Sequence, residues 1–146
     1  MEIKLFKQSG PEYLLSLILR YKILRIPLGL TFSAADLARD ANDVHIGAFE
    51  GDTILGSLIL TDSGDGTVQM RQVAVDDIHQ GKGIGRELAL YSETYAKSKG
   101  FKLIHCHARS VAAPFYMSLG YITVGEEFVE VGIPHFHMQK SLIDLS

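Results

Sequence analysis

The chain has 146 residues, 47% of them hydrophobic and 21% charged, with a formal net charge of −3. This length and balance predict a single globular domain over residues 1–146 with a sizeable core. The net negative charge argues against broad electrostatic binding to nucleic acid or acidic membranes, and the lone cysteine, Cys106, rules out an internal disulfide or a zinc framework built on cysteine pairs.

Met1-Glu2-Ile3-Lys4-Leu5-Phe6-Lys7 lacks the apolar core of a signal peptide. No apolar run approaches the ~20 residues that cross a bilayer. The expectation is a cytoplasmic protein without a membrane partner.

Residues 2–7 alternate apolar and polar and read as a first strand. Ser9-Gly10-Pro11 breaks it. Leu14, Leu17, Ile18 and Tyr21 then recur at helical spacing, which predicts a helix over residues 12–24. Pro27 ends that region, and Ser33 is placed to cap a short helix running to about Asp40. Val44 to Phe49 and Ile54 to Leu60 read as strands joined by a turn at Gly51-Asp52. Asp62-Ser63-Gly64-Asp65-Gly66 is a second turn cluster, followed by a strand over residues 67–75.

Gln80-Gly81-Lys82-Gly83-Ile84-Gly85 follows that strand. Its alternate glycines expose backbone amides without Cβ atoms in the way. A helix beginning there aims free N–H groups and the positive end of its dipole at an anion. Ile84, Leu88, Tyr91 and Tyr95 mark one buried helical face, with Glu93 and Lys97 paired outside. Lys102 to Ala108 is a strand and Ala112 to Leu119 a short helix. Tyr121 to Val131 and Phe136 to Lys140 read as strands around Gly132-Ile133-Pro134. The unit spanning 67–108 is a crossover between parallel strands, expected to be right-handed. With antiparallel strands before and after it, the fold class is α/β (α+β) with a mixed sheet.

Two phosphate-binding patterns fail on spacing. Lys82 is followed by Gly83 rather than Ser or Thr, so there is no P-loop. Arg86 stands where a dinucleotide fingerprint needs its third glycine. The pattern that fits is Gln/Arg-x-x-Gly-x-Gly/Ala at Gln80, Gly83 and Gly85. It is followed at the right distance by Ala112-Ala113-Pro114-Phe115-Tyr116-Met117-Ser118-Leu119-Gly120-Tyr121. With these motifs the chain strongly resembles the GNAT superfamily of acetyl-CoA-dependent N-acetyltransferases, over roughly residues 67–140.

The resemblance implies a central mixed sheet of about seven strands flanked by about four helices, and an acetyl group moved from acetyl-CoA to a primary amine of a small molecule or peptide. It implies that main-chain groups of Val73, Ala74 and Val75 pair with the pantetheine arm. Gln80, Gly81, Lys82, Gly83, Ile84, Gly85 and Arg86 would hold the phosphates, and Ala112 and Phe115 would adjoin the cofactor. Tyr116 matches the family's tyrosine near the acetyl-CoA sulfur. A phenol of pKa ~10 stays protonated at neutral pH and can donate to a leaving thiolate.

Two positions depart from the family. Arg109 stands where many members have an asparagine, and Gln69 where some have a glutamate base. Glu126, Glu127, Glu130, His135, His137 or a water chain are the alternatives for a base. His105 and His107, with His135 and His137, raise a metal reading, but no recognisable zinc spacing completes it, so no metal is expected. Cys106 points away from both neighbouring histidines on a strand, and a buried, inert thiol is expected. Dimerisation is common in similar proteins, and no segment locates an interface. The alternative function is a CoA-binding sensor without catalysis.

Overall fold

The computed structural model describes residues 1–143. Its strands are β1 (Glu2–Phe6), β2 (Val44–Glu50), β3 (Thr53–Gly64), β4 (Thr67–Val75), β5 (Leu103–Arg109), β6 (Ile122–Thr123), β7 (Phe128–Glu130) and β8 (Ile133–Ser141). Its α-helices are α1 (Pro11–Arg20), α2 (Ala34–Arg39), α3 (Ile84–Ser98) and α4 (Ala113–Ser118). Among the described residues the strands form one mixed sheet in the order β1-β2-β3-β4-β5-β8-β6, with β7 on β8. This is the expected mixed α/β architecture. The chain divides into two compact units, Met1–Thr61 with Arg71–Ser92, and Asp62–Met70 with the residues from Glu93 on.

In the first unit β1 and β2 are antiparallel, with Glu2 opposite Phe49 and Phe6 opposite His45. The hairpin between β2 and β3 turns at Gly51-Asp52 as expected, with Glu50 opposite Thr53. The spacing of Leu14, Leu17, Ile18 and Tyr21 locates the first helix but not its buried side. Leu14 and Ile18 are 61% and 60% exposed, whereas Ser16, Leu19 and Arg20 face inward. The reason is electrostatic. Arg20 Nη1 donates to Asp40 Oδ2 at 2.8 Å, and both residues are buried. Tyr13 OH donates to the same oxygen at 2.7 Å, and Arg71 Nη2 lies 3.3 Å from Asp40 Oδ1 and 3.0 Å from Asp43 Oδ2. Two arginines thus meet two aspartates, which is how buried charge becomes tolerable. Beyond Arg20 the helix widens to π-type hydrogen bonding over Tyr21–Arg25, so the expected extent to residue 24 is right.

Ser33 caps α2 as expected. Its Oγ accepts from the Asp36 N–H at 3.1 Å, and its own N–H donates to Asp36 Oδ2 at 2.8 Å, a reciprocal capping box. Gly56 lets α3 lie close to the sheet. A Cβ there would meet Leu88 Cδ1 at 2.9 Å and the Ala74 carbonyl oxygen at 3.1 Å.

The buried arc of α3 differs from the expected one. It comprises Ile84, Leu88, Ala89, Ser92, Glu93 and Ala96, which leaves Tyr91 and Tyr95 half-buried at its edge. Glu93 is therefore not on the outside. In the second unit its carboxylate accepts from Tyr121 OH at 3.0 Å and from Lys140 Nζ at 2.7 Å. The same ammonium donates to the Leu119 carbonyl at 2.6 Å. This buried acid is satisfied on both oxygens, as burial of a charge requires.

Also in the second unit, β4 and β5 are parallel through Thr67–Leu103, Val68–Ile104 and Gln69–His105. β5 is antiparallel to β8 from Leu103–Ser141 to Arg109–His135. The single strand expected over 121–131 is two short ones, β6 and β7, each paired to β8. Gly125, at φ +78°, lies in the break between them. The expected break at Gly132-Ile133-Pro134 also shifts. Val131 and Gly132, at φ +46° and +76°, make a two-residue turn, and β8 starts at Ile133. Positive φ at both central residues is the type I′ geometry that matches strand twist.

Candidate functional site

The glycine loop belongs to the first unit. A short 3-10 turn, Asp77–His79, precedes it, with the Asp76 carboxylate accepting from the Ile78 N–H at 3.4 Å. Gln80 is exposed, but its side chain is held locally. Its Nε2 donates to the Val75 carbonyl at 3.1 Å and to Asp77 Oδ1 at 3.4 Å, tying the loop to the end of β4. Gly81 and Gly83 have φ of +81° and +82°, with open space where a Cβ would stand. Their conformation, not crowding, demands glycine. The Gly83 carbonyl accepts from the Glu87 N–H at 3.0 Å and starts α3. The loop's amides and those of the first turn therefore head a 15-residue helix. Lys82 and Arg86 are exposed and have no protein partner among the described residues. Free amides, a helix dipole and two unpaired cations together fit a pyrophosphate.

The strand leading into this loop carries a strained residue. Gln72 has φ +55° in the middle of β4, and Arg20 Nε approaches its Oε1 at 3.4 Å. Positive φ in a non-glycine residue is costly and clusters where function demands it. Val73 and Val75 are half-buried and alternate with buried Ala74.

Tyr116 lies in the second unit, on α4, and is 7% exposed. The ring meets Phe115 at 5.0 Å and Tyr121 at 5.5 Å, both edge to face. Its hydroxyl has no hydrogen-bond partner among the described residues. Burial pushes the phenol well above its ordinary range, and the nearby Cys106 thiol adds to the effect. Burial also pushes Cys106 up to about 12, so this thiol is inert as expected. Ala112, Phe115 and Arg109 are half-buried at the start of α4 and the end of β5. Arg109 has no ion pair among the described residues.

The structure brings His105 and His107 of β5 and His135 and His137 of β8 together on one face of the sheet. His105 and His107 alternate with Cys106, so they point away from it. The His137 ring lies 5.3 Å from that of His105 and 5.4 Å from that of His107. His107 Nδ1 is 3.1 Å from Glu130 Oε1, and His135 Nε2 is 3.7 Å from Glu130 Oε2. His105 Nε2 pairs with Ser63 Oγ at 2.9 Å. His105 Nδ1 and His137 Nε2 are buried without a partner. Desolvation, then the charges of His137 and His107, lower the pKa of His105. Glu127 accepts from Ser110 Oγ at 2.7 Å, and Glu126 is exposed. No group of three or more His, Cys, Asp or Glu among the described residues is arranged to hold a metal ion. No described helix is long and apolar enough to cross a membrane.

The sequence pattern missed the Glu130–His107 contact. The alternation of His105 and His107 was visible, but only the register of β7 and β8 brings Glu130 to the ring.

Comparison with known proteins decides the family. The acetyltransferase (GNAT) domain matches residues 33–142. The chain belongs to the GNAT acetyltransferase family. Among curated relatives, the uncharacterised protein YyaT of Bacillus subtilis is 32% identical over 76 residues, covering 52% of this chain and 51% of YyaT. The chain spans about half the length of the curated relatives it matches. In structure, a Lactobacillus plantarum protein is similar with a TM-score of 0.86 at 23% identity, covering 98% of this chain and 100% of that one. An aminoglycoside 6′-N-acetyltransferase complexed with coenzyme A is similar with a TM-score of 0.82 at 18% identity, covering 100% of this chain and 99% of that one. At these identities the structural likeness carries the fold.

Proposed function

We propose that this GNAT protein transfers the acetyl group of acetyl-CoA to a primary amine of a small molecule or peptide by direct attack. The observation that carries this reading is the loop at Gly81 to Arg86. Its left-handed glycines, the head of α3, and the unpaired Lys82 and Arg86 form an anion cradle on the family's cofactor motif. We read residues 1–146 as one N-acetyltransferase domain.

Acetyl-CoA supplies an activated acyl group as a thioester. The chain's own residues do the rest. The loop amides from Gly81 to Arg86 hold phosphate oxygens, and Lys82 and Arg86 add charge. Main-chain groups of Val73, Ala74 and Val75 orient the pantetheine arm. Ala112, Phe115 and the unpaired Arg109 are the second unit's candidate cofactor-binding positions.

Tyr116 is the general acid. Its raised pKa keeps the proton on the phenol at every physiological pH. It does not make donation prohibitive, because the same dry surroundings raise a thiolate's proton affinity too. Cys106, held up at about 12 beside it, shows that effect on a thiol. A cytoplasmic location is consistent with the single, unbridged cysteine.

Gln69 in place of a glutamate motivates the competing reading, a CoA-binding sensor without catalysis. The test is release of free thiol from acetyl-CoA across a panel of amines, with CoA binding followed by calorimetry. Turnover with any amine rejects the sensor. Failure to bind CoA rejects both readings.

A further inference from the structure

The end of the first helix leaves one cation unspent. After the π-type stretch Tyr21–Arg25, Pro27 sits in a short 3-10 turn, Ile26–Leu28. Gly29 then takes φ +68°. Its N–H donates to the Ile26 carbonyl at 3.0 Å, and the Leu30 N–H donates to the Arg25 carbonyl at 2.9 Å. These two bonds around a left-handed glycine are a Schellman closure, which stops the helix and turns the chain back. Phe32 thereby returns to the arginines. Its ring centroid lies 4.7 Å from the Arg25 guanidinium and 4.9 Å from that of Arg20. The Tyr21 ring is 6.5 Å from that of Phe32.

The three cations of this stretch differ in what they face. Arg20 is buried on Asp40, and Lys22 Nζ meets Asp76 Oδ1 at 3.2 Å. Arg25 is half-buried and has no ion pair among the described residues. Asp36 is the carboxylate that senses its charge, but Asp36 Oδ2 is already taken by the Ser33 N–H at 2.8 Å. Contact with the Phe32 ring restrains the Arg25 guanidinium and leaves its N–H donors without a partner among the described residues. A restrained, planar fork of this kind suits bidentate binding of a carboxylate.

The stretch runs beside the strand that the acetyltransferase reading gives to the pantetheine arm. Arg20 Nε approaches Gln72 Oε1 at 3.4 Å, and Lys22 reaches Asp76, so the helix end is tied to β4 just before Val73 and just after Val75. An amine approaching that arm from this side passes Tyr21, Arg25 and Phe32. We propose that the acceptor is an amine that also carries a carboxylate, and that Arg25 is the specificity residue that binds this carboxylate, a role that rests on the acetyltransferase reading. Arg25 holds the far end of the acceptor and takes no part in bond making. Tyr21 and Phe32 flank the body of the acceptor. One unspent positive charge matches one carboxylate, and it opposes a polyamine, whose second ammonium would meet like charge.

The test uses ω-amino carboxylates of increasing chain length, each against its own carboxamide, with spermidine as the polycation. In wild type the best carboxylate is expected to have a KM about tenfold below that of its carboxamide, and spermidine to be the poorest acceptor. Arg25→Gln is expected to raise the KM of that carboxylate by about tenfold, with kcat within twofold and CoA affinity retained. Arg25→Lys is expected to keep part of the preference, as a point charge in place of a fork. A wild type that uses carboxamides or spermidine as well as the carboxylates overturns the proposal, and so does an Arg25→Gln variant that keeps the preference. If wild type turns over no amine, the acetyltransferase reading fails, and calorimetry of the carboxylates on CoA-loaded protein decides the site. Binding that is lost in Arg25→Gln then upholds the carboxylate site, and no binding overturns it.

Discussion

Asp40 anchors the charge balance inside the first unit. It is 0% exposed and holds Arg20 at 2.8 Å and Arg71 at 3.3 Å. Asp40→Asn preserves the shape and removes one of the two negative charges facing two arginines. Asp43, 3.0 Å from Arg71, can then balance only that one. Arg20, 2% exposed, keeps its charge without a counter-ion. Leaving a buried charge uncompensated costs about 3–5 kcal/mol. Each kcal/mol moves the melting temperature of a chain this size by about 2–4 °C, so the variant should melt about 6–20 °C lower. Calorimetric or circular-dichroism melts measure this. Adding Arg20→Met should recover part of the loss, because the remaining Arg71–Asp43 pair is balanced. A drop below about 2 °C in the single variant, or further loss in the double, refutes the charge accounting.

Gly83→Val places a β-branched residue at φ +82°, where even an ordinary L residue pays roughly 1–2 kcal/mol, so CoA affinity should fall by about tenfold or more in calorimetry. Gly100→Ala, at φ +89° outside the loop, should leave that affinity unchanged. An equal effect of both variants would mean that strain at large, not the cradle, governs binding. His105 has a lowered pKa, so below the ordinary imidazole value of about 6.5 the unfolded chain binds the proton more readily than the folded one. Folding stability should therefore decline as pH falls from about 6.5 towards the folded pKa. Urea denaturation across this range should show a smaller decline in His105→Gln. An identical decline would place the linked proton on another residue.

Much of the fold was legible because its signals are local. Ser33 with Asp36 is a complete capping box within four residues, and Gly51-Asp52 is a turn where it stands. The glycine loop was legible for the same reason. Its backbone conformation is written in Gly81 and Gly83, and its helix follows at once.

What was hidden depends on partners distant in sequence. Leu14 and Ile18 looked like the core side of α1 until Asp40, twenty residues past Arg20, drew the opposite side inward. Glu93 looked like a surface partner of Lys97 until Tyr121 and Lys140 claimed its carboxylate. The stretch from Tyr121 to Val131 has strand-like composition, but Gly125 and the turn at Val131-Gly132 cut it into two short pieces. That cut places Glu130 against His107. Spacing alone could offer Glu130 as a base; only the strand register shows that its carboxylate is already engaged by an imidazole.

The most direct test of the account compares wild type with Tyr116→Phe for thiol release from acetyl-CoA across an amine panel. The phenylalanine keeps the ring packed against Phe115 and Tyr121 and removes only the proton donor. The account predicts that wild type acetylates at least one amine and that kcat of the variant falls by about 10²-fold with CoA affinity retained. Full activity in the variant, or a wild type that binds CoA and releases thiol with no amine, would contradict it.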